Sequence, residues 1–130
     1  MDMSSIREFT SDLGDFATEA QSRELLAENK KEREKKGQKI KDYTMSQFFG
    51  KDKIEPLLHD TGDACVGLKI TLILDADGKE ELLIQAVDKD GKVLPIRSME
   101  KTRSLSGGAE GVYGGPRCPK ICLPPPDKDE

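Results

Sequence analysis

One histidine, three cysteines, no tryptophan and no long apolar run occur in these 130 residues, and the scarcities narrow the function. A single histidine (His59) cannot support the usual proton relays without a partner. Three cysteines (Cys65, Cys118, Cys122) are an odd number, and in a reducing compartment they read as thiols or metal ligands before they read as a disulfide framework. The longest apolar stretch, around Leu72–Leu74, falls far short of the ~20 residues that cross a bilayer. "MDMSSIREFTSDLGDF" has neither the basic start nor the apolar segment of a secretion signal. The expected location is the cytoplasm. Neither charge sign dominates: the net charge is −4, so neither nucleic acid nor an anionic membrane is an expected partner. At 35% apolar and 35% charged, the chain is lean for a core of its length, and part of it is expected to stay solvated.

The remainder reads as an α+β protein in three parts. Residues 1–42 are expected to form an amphipathic helix and a charged hinge. Ser5 and Glu8 have capping-box spacing, and Ile6, Phe9, Leu13, Phe16, Ala17 and Ala20 recur at intervals of three and four. The basic stretch that follows reads as a solvated helix end stopping at Gly37. Residues 43–97 are expected to be the core. Asp52 and Glu55 repeat the capping-box spacing before a helix from Lys53 to Leu58 or His59, with Ile54, Leu57 and Leu58 facing inward. Phe48 and Phe49 are expected to pack at its entrance.

The strongest pattern follows that helix. "VGLKITLIL" alternates Leu68, Ile70, Leu72 and Leu74 against Lys69, Thr71 and Ile73, while "EELLIQAV" and "KVLPI" are further β-rich runs. "DADGK" (75–79) and "DKDGK" (88–92) between them are hairpin chemistry, the aspartates closing each turn and the glycines taking positive φ. Together they predict a three-stranded antiparallel meander with the short helix packed on it and the N-terminal helix across one face. Leu72 is expected to be buried, so that Leu72→Asp would unfold the domain, while Asp75→Ala would be nearly silent. Residues 98–130, rich in Gly, Pro and Ser, read as a flexible tail.

No constellation of residues identifies an enzyme. His59, Cys65, Cys118 and Cys122 are the minimum set for a Cys3His zinc site, but the His59-x5-Cys65 pair is loosely spaced and Pro119 restricts the Cys118-x3-Cys122 pair. The first reading of Cys118 and Cys122 is therefore free thiols on a mobile tail. A disulfide between them, a modified thiol, or a tail processed after Gly114-Gly115 stay as alternatives. So does a small Cys/His-dependent enzyme built on His59 and Cys65. Calcium at the twin turns is disfavoured, because glycine comes fourth and a lysine follows it. No catalytic residue, cofactor or metal is expected.

"FFGKDKIEPLL", "VGLKITLILDADGKEELLIQAVDKDGK" and "CPKIC" resemble a loose group of small uncharacterised Bacteroidota proteins. That group combines an "FFGK" entry, two Asp-x-[Asn/Asp]-Gly hairpin turns and a C-terminal Cys-Pro-x-x-Cys. The resemblance covers roughly residues 43–94 and 118–122, and this chain departs from it by continuing as "PPPDKDE". It implies an αβ unit with a Cys-bearing tail and supplies no catalytic residues. A three-stranded sheet of this size has free edges and little burial. The expected function is accordingly a small interaction module that binds a protein partner or itself.

Overall fold

The computed structural model describes residues 8–38, 43–44, 46–99 and 109–118. It is an α+β arrangement of two helices and two small antiparallel two-stranded sheets. In chain order these are α1 (Glu19–Lys35), β1 (Ser46–Gln47), α2 (Lys51–His59), β2 (Gly67–Leu74), β3 (Glu80–Val87), a 3-10 turn (Arg97–Met99) and β4 (Arg117–Cys118). β1 pairs with β4, and β2 pairs with β3.

The first helix starts later than its apolar stripe predicts. Ser5 and Ile6 lie outside the described residues, and from Glu8 to Thr18 the chain is not helical. Gly14 takes a φ of 103°, a left-handed value that interrupts any helix through it. Phe9 instead donates its N–H to the Lys89 carbonyl at 2.7 Å. The working capping box belongs to Thr18 and Gln21: the Thr18 hydroxyl accepts from Gln21 N at 3.1 Å, and the Gln21 side chain accepts from Thr18 N at 2.8 Å. This removes orphan donors that nothing at residues 8–17 would satisfy. α1 ends where predicted, with Gly37 past its C-cap at a φ of 78°. No residue of α1 is buried, so it does not lie across the core as expected. It is anchored through its last turn: Arg33 reaches Glu80 at 3.2 Å and stacks over the Tyr43 ring at 4.4 Å.

The second helix forms, without the predicted Asp52–Glu55 box. Its N-cap is Gly50, which makes no side-chain cap bond. Pro56 is the sixth helical residue, where it removes one main-chain donor; the helix runs only to His59 before Asp60 closes it on the Pro56 carbonyl at 2.9 Å. Leu57 is completely buried and Ile54 partly so, whereas Leu58 and Phe48 are exposed. Phe49 packs on the core.

β2 and β3 form the predicted hairpin, with Ile70 opposite Ile84 and Leu72 opposite Leu82. The twin turns are built alike. Asp75 Oδ1 accepts from the N–H of Asp77 and of Lys79, and Asp88 Oδ1 accepts from Asp90 and Lys92, all at 2.9 Å. The predicted third strand is absent as a strand. Val93 and Ile96 make only isolated bridges, to Val87 and Ala109, because Pro95 has no N–H to continue a ladder.

The largest departure is at residues 109–118, expected in a flexible tail. Val112 exchanges both main-chain hydrogen bonds with Ile84 (2.9 and 3.0 Å), Ile96 donates to Ala109 at 2.8 Å, and Cys118 is buried. The core is Leu57, Ile84, Ala86 and Ile96, with Phe49, Leu68, Leu94, Ala109 and Val112 packed around it. Residues 100–108 and 119–130, the rest of the expected tail, lie outside the described residues.

Candidate functional site

The sequence-based site residues are placed on separate elements. His59 is exposed at the end of α2. Cys65 is a free thiol whose Sγ donates to the carbonyls of Leu57 and Gly67, each at 3.6 Å, so it is occupied with main chain rather than aimed at an imidazole. Cys118, expected as a free thiol, is disulfide-bonded; Cys122 lies outside the described residues. Among the described residues no group of three or more His, Cys, Asp or Glu side chains is arranged to hold a metal ion. At the twin turns the carboxylates are taken up by main-chain N–H groups, and the second oxygen of Asp75 binds Arg117 at 2.6 Å. Hydrogen bonds from the Lys79 main chain, with the Arg117 guanidinium next, hold the Asp75 pKa below its usual 3.8.

Gly114-Gly115, read in one alternative as a processing site, has a packing reason to be there. Gly114 N donates to Glu81 at 2.5 Å, and a side-chain carbon on Gly115 would stand 1.8 Å from the Phe48 carbonyl oxygen. Only a glycine lets the two chains approach so closely. Glu81, though buried, keeps its carboxylate satisfied by Gly114 N and by Gln47 Nε2 at 3.3 Å, as burial requires. Gln47, Glu81 and Arg117 escaped the sequence reading because their partners lie more than 30 residues away; spacing along the chain carries no trace of them.

These contacts finish one edge of the hairpin. Along β3, main-chain groups that point away from β2 recur at every second residue. The Glu80 carbonyl accepts from the Thr44 hydroxyl and from Arg117 at 2.9 Å. Leu82 N donates to the Gln47 side chain at 2.8 Å. Ile84 exchanges bonds with Val112, the Ala86 carbonyl accepts from Leu94 at 2.9 Å, and Asp88 N donates to the Lys92 carbonyl at 3.0 Å.

The opposite edge has no such cover. The same alternation turns the N–H and C=O of Leu68, Ile70, Leu72 and Leu74 outward from β2, and none has a hydrogen-bond partner among the described residues. Their side chains share the face that carries Ile84 and Ala86, yet Ile70, Leu72 and Leu74 are 58%, 57% and 66% exposed. Only the Leu68 end of the predicted buried face is covered. The reason is length. α2 has nine residues and spans ~14 Å, while an eight-residue strand runs ~27 Å. The strip between Ile70 and Leu74 has no charge, proline or bulge to discourage pairing.

A concavity of about 290 Å³ lies between Phe9–Leu13 and Val66–Lys69. Its walls are mostly apolar, with few of the convergent polar groups that fix a small ligand. No described helix is long and apolar enough to cross a membrane. No protein-family model matches the chain, and no curated protein or solved structure matches it either.

Proposed function

We propose that this protein is a small interaction module, protein-binding or self-associating, that works through the exposed face and open edge of β2 rather than by catalysis. One observation carries the reading: three consecutive inward-pattern residues, Ile70, Leu72 and Leu74, stand in solvent beside a row of main-chain donors and acceptors that have no partner among the described residues. Apolar area and an open strand are the two ingredients of β-augmentation, in which an incoming strand supplies hydrogen bonds and buries alternate side chains. The likeness to the small Bacteroidota group fits this reading and adds no chemistry to it. The proposed setting is the cytoplasm, on the thin cysteine content; a Cys118 disulfide that persists in protein alkylated directly from cells would instead place it in an oxidising compartment.

The test compares the full chain with an Ile70→Lys/Leu74→Lys variant of unchanged circular dichroism. Both are measured for self-association by sedimentation and for stoichiometric capture of a defined protein from native lysate. Loss of either association in the variant supports the module. Association that ignores the two lysines, or none at all in the wild type, overturns it. Ending the chain at Ile96 is not a useful control, because residues 109–118 complete the core.

A further inference from the structure

We infer that the occupant of the open edge is a second copy of this chain, β2 pairing antiparallel with β2 about a two-fold axis at Leu72. The inference rests on the interaction reading above and names its partner. The outward main-chain groups belong to the even-numbered residues of β2, and in an antiparallel pair outward residues face outward residues. Setting Leu72 opposite Leu72 of the second copy places Ile70 opposite Leu74 and Leu74 opposite Ile70. All three exposed side chains are then matched among themselves on one face, and the pairing supplies about six main-chain hydrogen bonds.

Charge fits the same register. On the other face, Lys69 falls opposite the start of the second copy's turn, beside the exposed Asp77, while Asp75 stays paired with Arg117 of its own chain, and the symmetry repeats this contact. Moving the axis to Leu74 would leave Ile70 beyond the end of the second copy's strand, because the chain turns back between Asp75 and Lys79. Moving it to Ile70 would leave Leu74 facing Val66 at the strand's far end and Lys69 facing Thr71. Of these three registers, the Leu72 one combines full overlap of the exposed apolar residues with a lysine set beside an exposed aspartate. It also brings the α2-covered Leu68 end of each copy alongside the uncovered Leu74 end of the other. An isologous contact of this kind closes on itself, so it yields a dimer and not a fibre.

The experiment is sedimentation of the full chain over a concentration range, together with mild oxidation of single-cysteine additions. The wild type is expected to sediment as a dimer that dissociates on dilution. Leu72→Lys, which sets two ammonium groups against each other at the axis, is expected to weaken dimerisation at least about tenfold while leaving the monomer's circular dichroism unchanged. Leu72→Cys is expected to form a covalent dimer and Ile70→Cys none, because the two copies of residue 70 stand four residues apart in this register. Wild type serves as the control for the native thiols. A monomeric wild type, a dimer indifferent to Leu72→Lys, or cross-linking at residue 70 in preference to 72 overturns the inference. A monomer whose capture of another protein is lost in the Ile70→Lys/Leu74→Lys variant sinks the dimer and leaves the module reading standing.

Discussion

Along β3 each outward-facing residue from Glu80 to Asp88 has at least one main-chain group met, by a threonine, an arginine, a glutamine side chain or one of three short backbone bridges; along β2 the equivalent groups from Leu68 to Leu74 meet nothing among the described residues. The two edges belong to one hairpin and to strands of equal length. An edge can therefore be closed without a strand, provided that separate segments each deliver one well-placed group. The closure depends on tight local geometry, with Gly115 against Phe48 as its narrowest point. The unclosed edge retains apolar side chains that would be a liability in a permanently isolated molecule.

The sharpest way to break this contrast is at Gly115. Gly115→Ala forces a methyl group to 1.8 Å from the Phe48 oxygen, so β4 must leave β1 and carry residues 114–117 away from β3. A loss of about 3 kcal/mol or more is expected in urea unfolding. A melt unchanged within error would show that this edge is not held through Gly115.

Ile84 and Ile70 provide a matched pair, since they face one another across the hairpin. Ile84 is 5% exposed and Ile70 58%. Ile84→Ala is expected to cost ~2–5 kcal/mol and Ile70→Ala less than ~1 kcal/mol in the dissociated monomer. Equal losses would mean that the two strands are equally packed on this face.

The twin turns offer a smaller effect. Asp75 and Asp88 make the same main-chain bonds, but Asp75 also binds Arg117 and so helps hold β4. Asp75→Asn is expected to lower the melting temperature more than Asp88→Asn does. Because the folded-state pKa of Asp75 is depressed below 3.8, its contribution is present above the unfolded-state value and is lost as pH falls through the folded one. The gap between wild type and Asp75→Asn should therefore be full above about pH 4 and shrink at lower pH. A gap constant down to pH 2 would exclude the ionised pair as its source.

The smallest effect is expected for Leu72→Asp in dilute, monomeric protein: within about 0.5 kcal/mol of wild type. Its side chain already stands in water, so no charge would be buried. Unfolding would restore the view that this face belongs to the core.

Short-range order was readable in the residues themselves. The hairpin register follows from alternation and two Asp-x-Asp-Gly turns, the α1 stop from Gly37, and the buried face of α2 from Leu57 and Ile54. Features set by distant neighbours were not. The stripe from Phe9 to Ala20 has helical spacing, but Phe9 bonds to Lys89 and a better capping box lies at Thr18. Leu72 alternates like a core residue, yet α2 is too short to reach it. Val112 sits in a Gly-rich stretch with too few apolar neighbours to signal burial; it packs against the core only because β3 offers it two hydrogen bonds and Gly111 lets it close in, its α-carbon facing Leu83 and the Ile84 carbonyl. At the candidate site, the alternation set Ile70, Leu72 and Leu74 on one face but assigned that face to the core, whereas all three are exposed.

The long reach of the β3 closure also sets a schedule for the nascent chain. β3 is complete once Val87 has been made, but its last covering group, Arg117, is 30 residues further on, roughly 1.5–6 s of synthesis at 5–20 residues per second. For that interval the β3 edge of the emerging hairpin is only partly covered, beside the open edge of β2. The nascent hairpin is thus at its most adhesive before Arg117 is made, and a chaperone that shields strands would have its chief opportunity there.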